Sequence, residues 1–212
     1  MITIQEVVQA VQDASDRIQS HAQYLNELDA VVGDGEHGVN LARAFKRVKE
    51  KLPDIEQDSL GNLFKGIGRE LIAAGGGAGT TFYGAGFLAA SKVAGTATQI
   101  DATLLVDMFT AALADIQRRG GAGSGDKTMI DALEPAVELL QQNVTAGNGI
   151  DEALQAAAAG AKAGALATKE MLGRKGRSFY AGERALGTPD PGAASAYLII
   201  SSFAGLDPEM PL

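Results

Sequence analysis

The sequence predicts an all-α fold, and three observations lead to that prediction. Apolar residues recur at spacings of three and four along most of the 212 residues, as in amphipathic helices. Alternating runs rich in Val, Ile and Thr, which would indicate strands, are nearly absent. The 27 glycines concentrate in short groups between the helical stretches. No linker separates two halves, so we expect one domain over residues 1–212 with about eight helices and little or no sheet.

The first predicted helix is long and begins with a capping box. Thr3 and Glu6 have the spacing at which side chain and backbone cap each other. Apolar residues then recur with helical spacing from Ile4 to Leu25. His21 lies among these helical positions, and we interpret it as an ordinary surface or packing histidine.

Seven further helices follow, separated by the glycine groups. Asp101 and Asp190 are predicted N-caps, and Pro191 supplies the first-turn proline of the last helix. Pro135 lies inside the sixth pattern, where it should kink the helix or mark its first turn. The predicted spans are 39–52, 59–74, 81–93, 101–118, 128–142, 151–171 and 191–203.

Composition and charge exclude several classes of protein. With 18 basic and 26 acidic side chains the net charge is −8, which opposes binding to nucleic acid or an anionic membrane. No apolar run reaches the roughly 18 residues of a membrane span, and no secretory signal begins the sequence, so we expect a cytoplasmic protein. There is no cysteine and there are two histidines. A metal would therefore be held mostly by carboxylates, which favours Mg²⁺ or Ca²⁺.

Residues 28–40 form the most informative segment. Asp29, Asp34 and Glu36 lie within eight positions, around a glycine-rich turn that lets neighbouring carboxylates face one ion. The alternative is that Asp34 or Glu36 caps the next helix and Asp29 is solvated. The run from Gly33 to Gly38 also fits the dinucleotide fingerprint G-x-G-x-x-G. Its two acidic residues and the lack of alternating strands and helices argue against that interpretation.

Three other segments are candidates for binding phosphate. Residues 75–81 bring exposed amides and two hydroxyls to a helix start, although a helix C-cap followed by a tight interhelical turn is the commoner explanation of such a segment. Residues 120–128 resemble a Walker A loop, but the acidic residue before Lys127 and the preceding helix rule it out. Residues 174–177 concentrate positive charge that could fork onto phosphate oxygens, or could end a helix in solvent.

Four motifs together resemble the nucleotide-binding L subunits of bacterial dihydroxyacetone kinases. The motifs occur along essentially the whole chain in the order typical of that family. The resemblance implies a barrel of eight antiparallel helices with ADP bound at one end through two Mg²⁺ ions. The motifs are GDGEHG at 33–38, GDKTM at 125–129, RKGR at 174–177, and GER at 182–184 with DPG at 190–192.

The resemblance also implies roles for individual residues. Asp29, Asp34 and Glu36 match the magnesium ligands, with Glu36 in place of the usual aspartate. Arg177 matches an arginine near the phosphates and is the expected catalytic residue. Gly79 replaces a usual serine, which leaves Thr80 or Thr81 to supply the hydroxyl. The implied nucleotide-binding residues are His37, Gly38, Val39, Asn40, Ala78, Gly79, Thr80, Gly120, Met129, Arg177, Asp190, Pro191 and Gly192.

The implied activity is that of a kinase subunit, active only with partners. In the family's phosphotransferase-system form, bound ADP is phosphorylated by a phosphohistidine protein. The phosphoryl group then passes to dihydroxyacetone on a separate substrate subunit. One alternative is a subunit that exchanges free ATP and serves dihydroxyacetone or another short ketose. Another is a regulatory module that binds nucleotide without catalysis, and homodimerisation stays open.

Overall fold

The computed structural model describes all 212 residues. Ten α-helices account for most of the chain, and the only β-structure is an antiparallel pair of two-residue strands. The elements are β1 (Ile2–Thr3), α1 (Ile4–Ser20), α2 (Ala22–Val32), α3 (His37–Lys51), α4 (Leu60–Ala74), α5 (Ala78–Ala94), β2 (Gln99–Ile100), α6 (Ala102–Gly120), α7 (Ile130–Thr145), α8 (Ile150–Ala167), α9 (Gly176–Ala181) and α10 (Pro191–Phe203).

Eight of the helices form a closed ring. Each of them packs against two neighbours, in the order α1, α3, α4, α5, α6, α7, α8, α10 and back to α1. Short connections join most consecutive members, so neighbouring helices run in opposite directions. Helix α2 lies outside the ring against α3 and α10, and α9 packs beside α2. The predicted all-α fold, a barrel of about eight antiparallel helices, is confirmed.

The predicted helix starts are confirmed where a side chain caps the helix. Thr3 and Glu6 form the complete capping box of α1. The Asp101 carboxylate accepts the N–H of Leu104 at 2.8 Å, and Asp190 accepts that of Ala193 at 2.9 Å. Each cap satisfies backbone donors that have no partner within the helix.

Of the two alternatives for Pro135, the structure excludes the first-turn position, since α7 already begins at Ile130 and Pro135 lies inside it. Two details of the prediction are wrong. The first helix does not run on through His21, because α1 ends at Ser20 and α2 begins at Ala22. The short helix α9 was not predicted, because six residues are too few to show an apolar period.

The barrel interior is apolar and incompletely filled. A cavity of about 350 Å³ lies between α1, α5, α6, α7 and α10, lined mostly by hydrophobic side chains such as Phe87 and Phe109. Helix α10 is buried on nearly every side, which explains why its sequence is apolar or small all round. None of the ten helices combines the length and the apolar character needed to cross a membrane.

Candidate functional site

A second cavity opens at one end of the barrel and gathers most of the predicted site residues. Its volume is about 330 Å³. Gly38, Val39 and Glu36 do not line it; Gly38 instead packs α3 against α2, and Val39 is 47% exposed. The predicted residues that do line it are Asp29, Asp34, His37, Asn40, Ala78, Gly79, Thr80, Gly120, Met129, Arg177, Asp190, Pro191 and Gly192.

Four ring helices begin at this cavity. Residues from the first turns of α3, α5, α7 and α10 all line it, since every second helix of the alternating ring starts at the same end. The N-terminus of a helix carries about half a positive charge. Side chains already accept first-turn N–H groups at α3, α7 and α10, whereas α5 has no side-chain cap. The arrangement therefore favours an anion in the cavity beside the start of α5.

Two of the three predicted metal ligands come together here. Asp29, in the last turn of α2, accepts the N–H groups of Glu36 at 3.0 Å and His37 at 3.3 Å. Asp34 also accepts the N–H of Glu36, at 3.3 Å. The Glu36 side chain is exposed and does not join them, and no three His, Asp or Glu side chains form a group that could hold a metal.

The surroundings of Asp29 and Asp34 shift the pKa values of the two carboxyl groups in opposite directions. Burial raises the pKa of Asp29, which is 3% exposed, although the N–H of Glu36 and the charge of Arg177 act in the opposite direction. The hydrogen bond from Arg177 lowers the pKa of Asp34. A buried carboxylate beside a second one is favourable only with positive charge nearby, so this pair is suited to a cation.

Arg177 reaches the carboxylates from α9. Its Nη1 lies 2.7 Å from Asp34 Oδ2. Gly33 makes the approach possible, because a Cβ there would lie 2.6 Å from the Arg177 side chain and 2.8 Å from Asp29 Oδ1. The structure thus brings together an arginine and two predicted metal ligands that lie over 140 positions away from it in sequence.

The glycine loop before α5 is shaped by its own backbone. Gly75, Gly76 and Gly77 have φ values of 62°, 96° and 119°, which other residues rarely adopt. The Thr80 hydroxyl donates to the carbonyl oxygens of Gly75 and Gly77, and Thr81 donates to that of Gly77 at 3.3 Å. Both hydroxyl protons therefore hold the loop, so neither is free to donate to a ligand.

His37 is tied into a buried polar network. Its Nε2 lies 3.0 Å from the Ser195 hydroxyl, which is 2.8 Å from the Tyr83 hydroxyl. Burial lowers the pKa of His37 to about 4, with the charge of Arg177 as a smaller cause. The imidazole is consequently neutral at physiological pH, and its ring is held in place instead of being free to take up a proton.

The segment before α10 closes the cavity on the opposite side. Burial raises the pKa of Asp190 to about 6, while its bonds to the Ala193 N–H and the Ser178 hydroxyl act against the rise. A Cβ on Gly192 would meet Met129 at 3.3 Å, so the start of α10 lies directly against the start of α7.

Comparison with known proteins identifies the family of this chain. The family model described as the DAK2 domain matches residues 31–205. The chain belongs to the DAK2 domain family. The resemblance inferred from the motifs is thereby confirmed, and the match spans every motif from Gly33 to Gly192.

Relatives of this DAK2 domain include bacterial subunits of almost the same length. The ADP-binding subunit DhaL of PEP-dependent dihydroxyacetone kinase 1 from Listeria innocua is 37% identical over 191 residues, covering 90% of each chain. The DhaL subunit of the PEP-dependent kinase from Escherichia coli K12 is 35% identical over 199 residues, covering 94% of this chain and 95% of the relative.

A solved structure shares the fold. The dihydroxyacetone kinase of C. freundii in complex with AMP-PNP and Mg²⁺ superimposes with a TM-score of 0.71 and 30% identity. The match covers 94% of this DAK2 domain but 33% of the C. freundii chain. The domain thus corresponds to one third of a longer kinase chain.

The donor set of the DAK2 domain fits Mg²⁺ held jointly with phosphate. Magnesium in nucleotide enzymes is usually bound through one or two carboxylates plus phosphate oxygens and water. Asp29 and Asp34 supply two carboxylates, and the converging helix N-termini accommodate phosphate beside them.

Several lining residues of the DAK2 domain were not predicted. Leu41, Phe82 and Ile116 form an apolar wall, and Lys127 borders the cavity from the loop before α7. The three apolar residues follow ordinary helical periodicity, so the sequence could not distinguish them from core residues. Lys127 lies in the GDKTM motif, so the sequence does mark it, but rejecting the Walker A interpretation of this loop leaves the residue without a predicted role.

Proposed function

We propose that this DAK2 domain is the ADP/ATP-binding phosphoryl-transfer subunit of a dihydroxyacetone kinase, with residues 1–212 acting as one domain. One observation carries the proposal: four helix N-termini, a pair of aspartates and an arginine meet at a single cavity. The names of the relatives, ADP-binding subunits of PEP-dependent dihydroxyacetone kinases, support it. Phosphoryl transfer requires positioning and charge neutralisation more than a covalent group on the protein.

In this proposal the carboxylates hold magnesium and the arginine binds the phosphate oxygens. Asp29 and Asp34 would hold magnesium, two ions in all, with Glu36 as the third proposed ligand. Bound Mg²⁺ supplies neutralisation of phosphate charge. Arg177, already within 2.7 Å of Asp34, donates to the phosphate oxygens and stabilises the charge that develops on the transferred group.

The other predicted residues bind the rest of the nucleotide. The loop at Ala78 and Gly79 donates its N–H groups to the phosphates, and the side chains of His37 and Asn40 at the start of α3 line the same cavity. Gly120 and Met129 contact the adenosine, beside the apolar wall of Phe82 and Ile116. Asp190, Pro191 and Gly192 close the cavity, as the buried Asp190 cap holds the start of α10.

In this proposal the acceptor and the donor of the phosphoryl group belong to partner subunits. The pKa of His37 is about 4, so its imidazole is a weak base, and its Nε2 is bonded to Ser195, while the Lys127 ammonium donates to two protein carbonyls. Neither residue is therefore the expected nucleophile or base. Dihydroxyacetone is accordingly held by a separate substrate subunit, and a phosphohistidine protein phosphorylates the bound ADP to ATP. The exposed side chains of Phe179 and Tyr180, next to Arg177, support contact with another protein at this end.

The decisive experiment identifies the bound nucleotide and its donor. Freshly purified protein is denatured, and any released nucleotide is identified by chromatography. We expect ADP, and we expect a phosphohistidine donor to convert it to ATP without exchange with labelled ATP in solution. Rapid exchange of labelled ATP would favour the ATP-dependent subunit, for dihydroxyacetone or another short ketose. Nucleotide binding without any transfer in the presence of the substrate subunit would favour a regulatory module.

A further inference from the structure

Lys127 is unusual in both its backbone and its side chain. It is 1% exposed, although lysine is almost never fully buried unless its charge is paired. Its φ of 59° is the only positive value at a non-glycine residue in the chain. Because a side chain disfavours that conformation, contacts of the side chain must hold the residue there.

Those contacts join segments that are distant in sequence. The Lys127 ammonium donates to the carbonyl oxygen of Thr168, just after α8, and to that of Thr188 at 2.8 Å, just before α10. Hydrogen bonds from a charged donor are shorter and stronger than neutral ones. One buried ammonium therefore fixes the end of α8, the approach to α10 and its own loop relative to each other.

One route of hydrogen bonds leads from these carbonyls to α9. The Thr168 hydroxyl oxygen accepts the N–H of Asp190 at 2.8 Å. The Asp190 carboxylate in turn accepts the hydroxyl proton of Ser178 at 3.3 Å. Ser178 is 1% exposed and directly follows Arg177, so this route ends at the arginine that contacts Asp34.

A second route reaches Arg177 from the other side. The carbonyl oxygen of Asp126, the neighbour of Lys127, accepts the N–H groups of Arg174 at 3.1 Å and Lys175 at 3.4 Å. The Asp131 carboxylate steadies the loop by accepting the N–H of Thr128 at 2.8 Å. The loop around Lys127 thus holds the start of the segment that carries Arg177 directly, and it reaches Ser178 on the other side of Arg177 through Asp190.

We propose that Lys127 is a positioning residue of the phosphoryl-transfer site, which sets the place of Arg177 without touching the nucleotide. Its ammonium fixes the segment before α10 relative to the end of α8. The hydrogen bonds of Asp190 with Thr168 and Ser178 then fix the position of α9 relative to both. This inference rests on the proposed function, since a positioning residue matters only if Arg177 acts on phosphate. Lys127 borders the cavity, but its ammonium donates to protein carbonyls instead of pointing at a ligand.

The test compares two variants with a matched control. Lys127→Met keeps the aliphatic chain and removes the donors, while Ser178→Ala removes only the last bond of the route. Lys65→Met is the control, since Lys65 is an exposed lysine of α4 away from the cavity. Amide hydrogen exchange is measured on each full-length protein without nucleotide. Phosphoryl transfer is then measured with the partner subunits at saturating nucleotide, together with the affinity for adenosine.

We expect exchange in residues 176–181 to speed up roughly tenfold or more in Lys127→Met, and also in Ser178→Ala, while α4 and α5 stay unchanged. The transfer rate at saturating nucleotide should fall about tenfold in Lys127→Met and less in Ser178→Ala, with adenosine affinity within about threefold of the parent. Lys65→Met should match the parent throughout.

Two outcomes would overturn the inference. If amide exchange at residues 176–181 is unchanged in Ser178→Ala, the hydrogen bonds through Ser178 do not position Arg177. This conclusion stands even if Lys127→Met fails to fold. A loss of ADP affinity in Lys127→Met with normal transfer and exchange in Ser178→Ala would instead make Lys127 a phosphate ligand. Absence of transfer in the parent protein would refute the proposed function, and hydrogen exchange would still decide whether Lys127 holds α9.

Discussion

At the scale of single residues, the site depends on two aspartates whose surroundings differ. Asp29 is buried and held by two backbone N–H groups, whereas Asp34 is half exposed and paired with Arg177. Their pKa values therefore shift in opposite directions, upward for Asp29 and downward for Asp34. Of the two proposed ligands, Asp34 ionises more readily, and exchange of its arginine for a metal ion would cost little because both groups are solvated.

Replacing Asp34 by asparagine tests this assignment. Asp34→Asn keeps the shape of the turn but removes the negative charge, so ADP affinity in the presence of Mg²⁺ should fall about tenfold or more. Isothermal titration calorimetry measures the affinity, and circular dichroism should show unchanged helix. Asp107→Asn, on an exposed position of α6, removes the same charge elsewhere and should bind ADP normally. Normal Mg²⁺-dependent binding by Asp34→Asn would contradict the proposed site.

Local composition predicted the loops that line the cavity, while the roles of their residues stay predictions. The acidic turn, the glycine loop and the basic run were recognisable because their composition is unusual for an interhelical connection. The side-chain contacts were not recognisable, since the exposed Glu36 forms no three-carboxylate group and Thr80 bonds to its own loop. Rotamers depend on packing partners that the local sequence does not name.

At the scale of helices, the site exists because alternate members of the ring start at one end. A capping residue predicted one of these starts, the one at Asp190. Their convergence follows from the antiparallel order of the ring and from close helix contacts. Gly38 is one such contact, because a Cβ there would lie 1.9 Å from the Ala22 carbonyl oxygen at the start of α2.

Adding a single methyl group at that crossing should disturb both stability and the site. Gly38→Ala forces α2 and α3 apart, which should lower the free energy of unfolding by about 1–3 kcal/mol and weaken Mg²⁺–ADP binding, since Asp29 and His37 lie on these helices. Chemical denaturation and calorimetry measure the two effects. Gly123→Ala is the matched control, as its Cβ would meet nothing within 4 Å and should change neither quantity. Equal stability of the two variants would contradict the close crossing.

At the scale of the whole molecule, ligand and fold should stabilise each other. The cavity is lined by five ring helices and by α2 and α9, so a ligand that binds it favours the closed ring over any opened form. Unfolding separates these elements and destroys the site, which links nucleotide binding to the stability of the entire chain.

Mg²⁺–ADP should therefore raise the melting temperature of nucleotide-free protein. At one hundred times the dissociation constant the added stability is about 2.7 kcal/mol, which corresponds to a shift of roughly 5–10 °C for a chain of this size. Differential scanning calorimetry measures the shift, and ADP with a chelator should give a much smaller one. No shift at millimolar Mg²⁺–ADP would contradict nucleotide binding at this cavity.

The sequence by itself determined the all-α class, most helix boundaries and the chemistry of the loops, because helical periodicity, caps and glycine turns are local properties. Only the tertiary structure decided which of these loops meet. The ring places the starts of four helices around one cavity, and the route through Lys127 to Arg177 connects segments more than 40 residues apart. Such contacts depend on the closure of the barrel, which no stretch of sequence specifies alone.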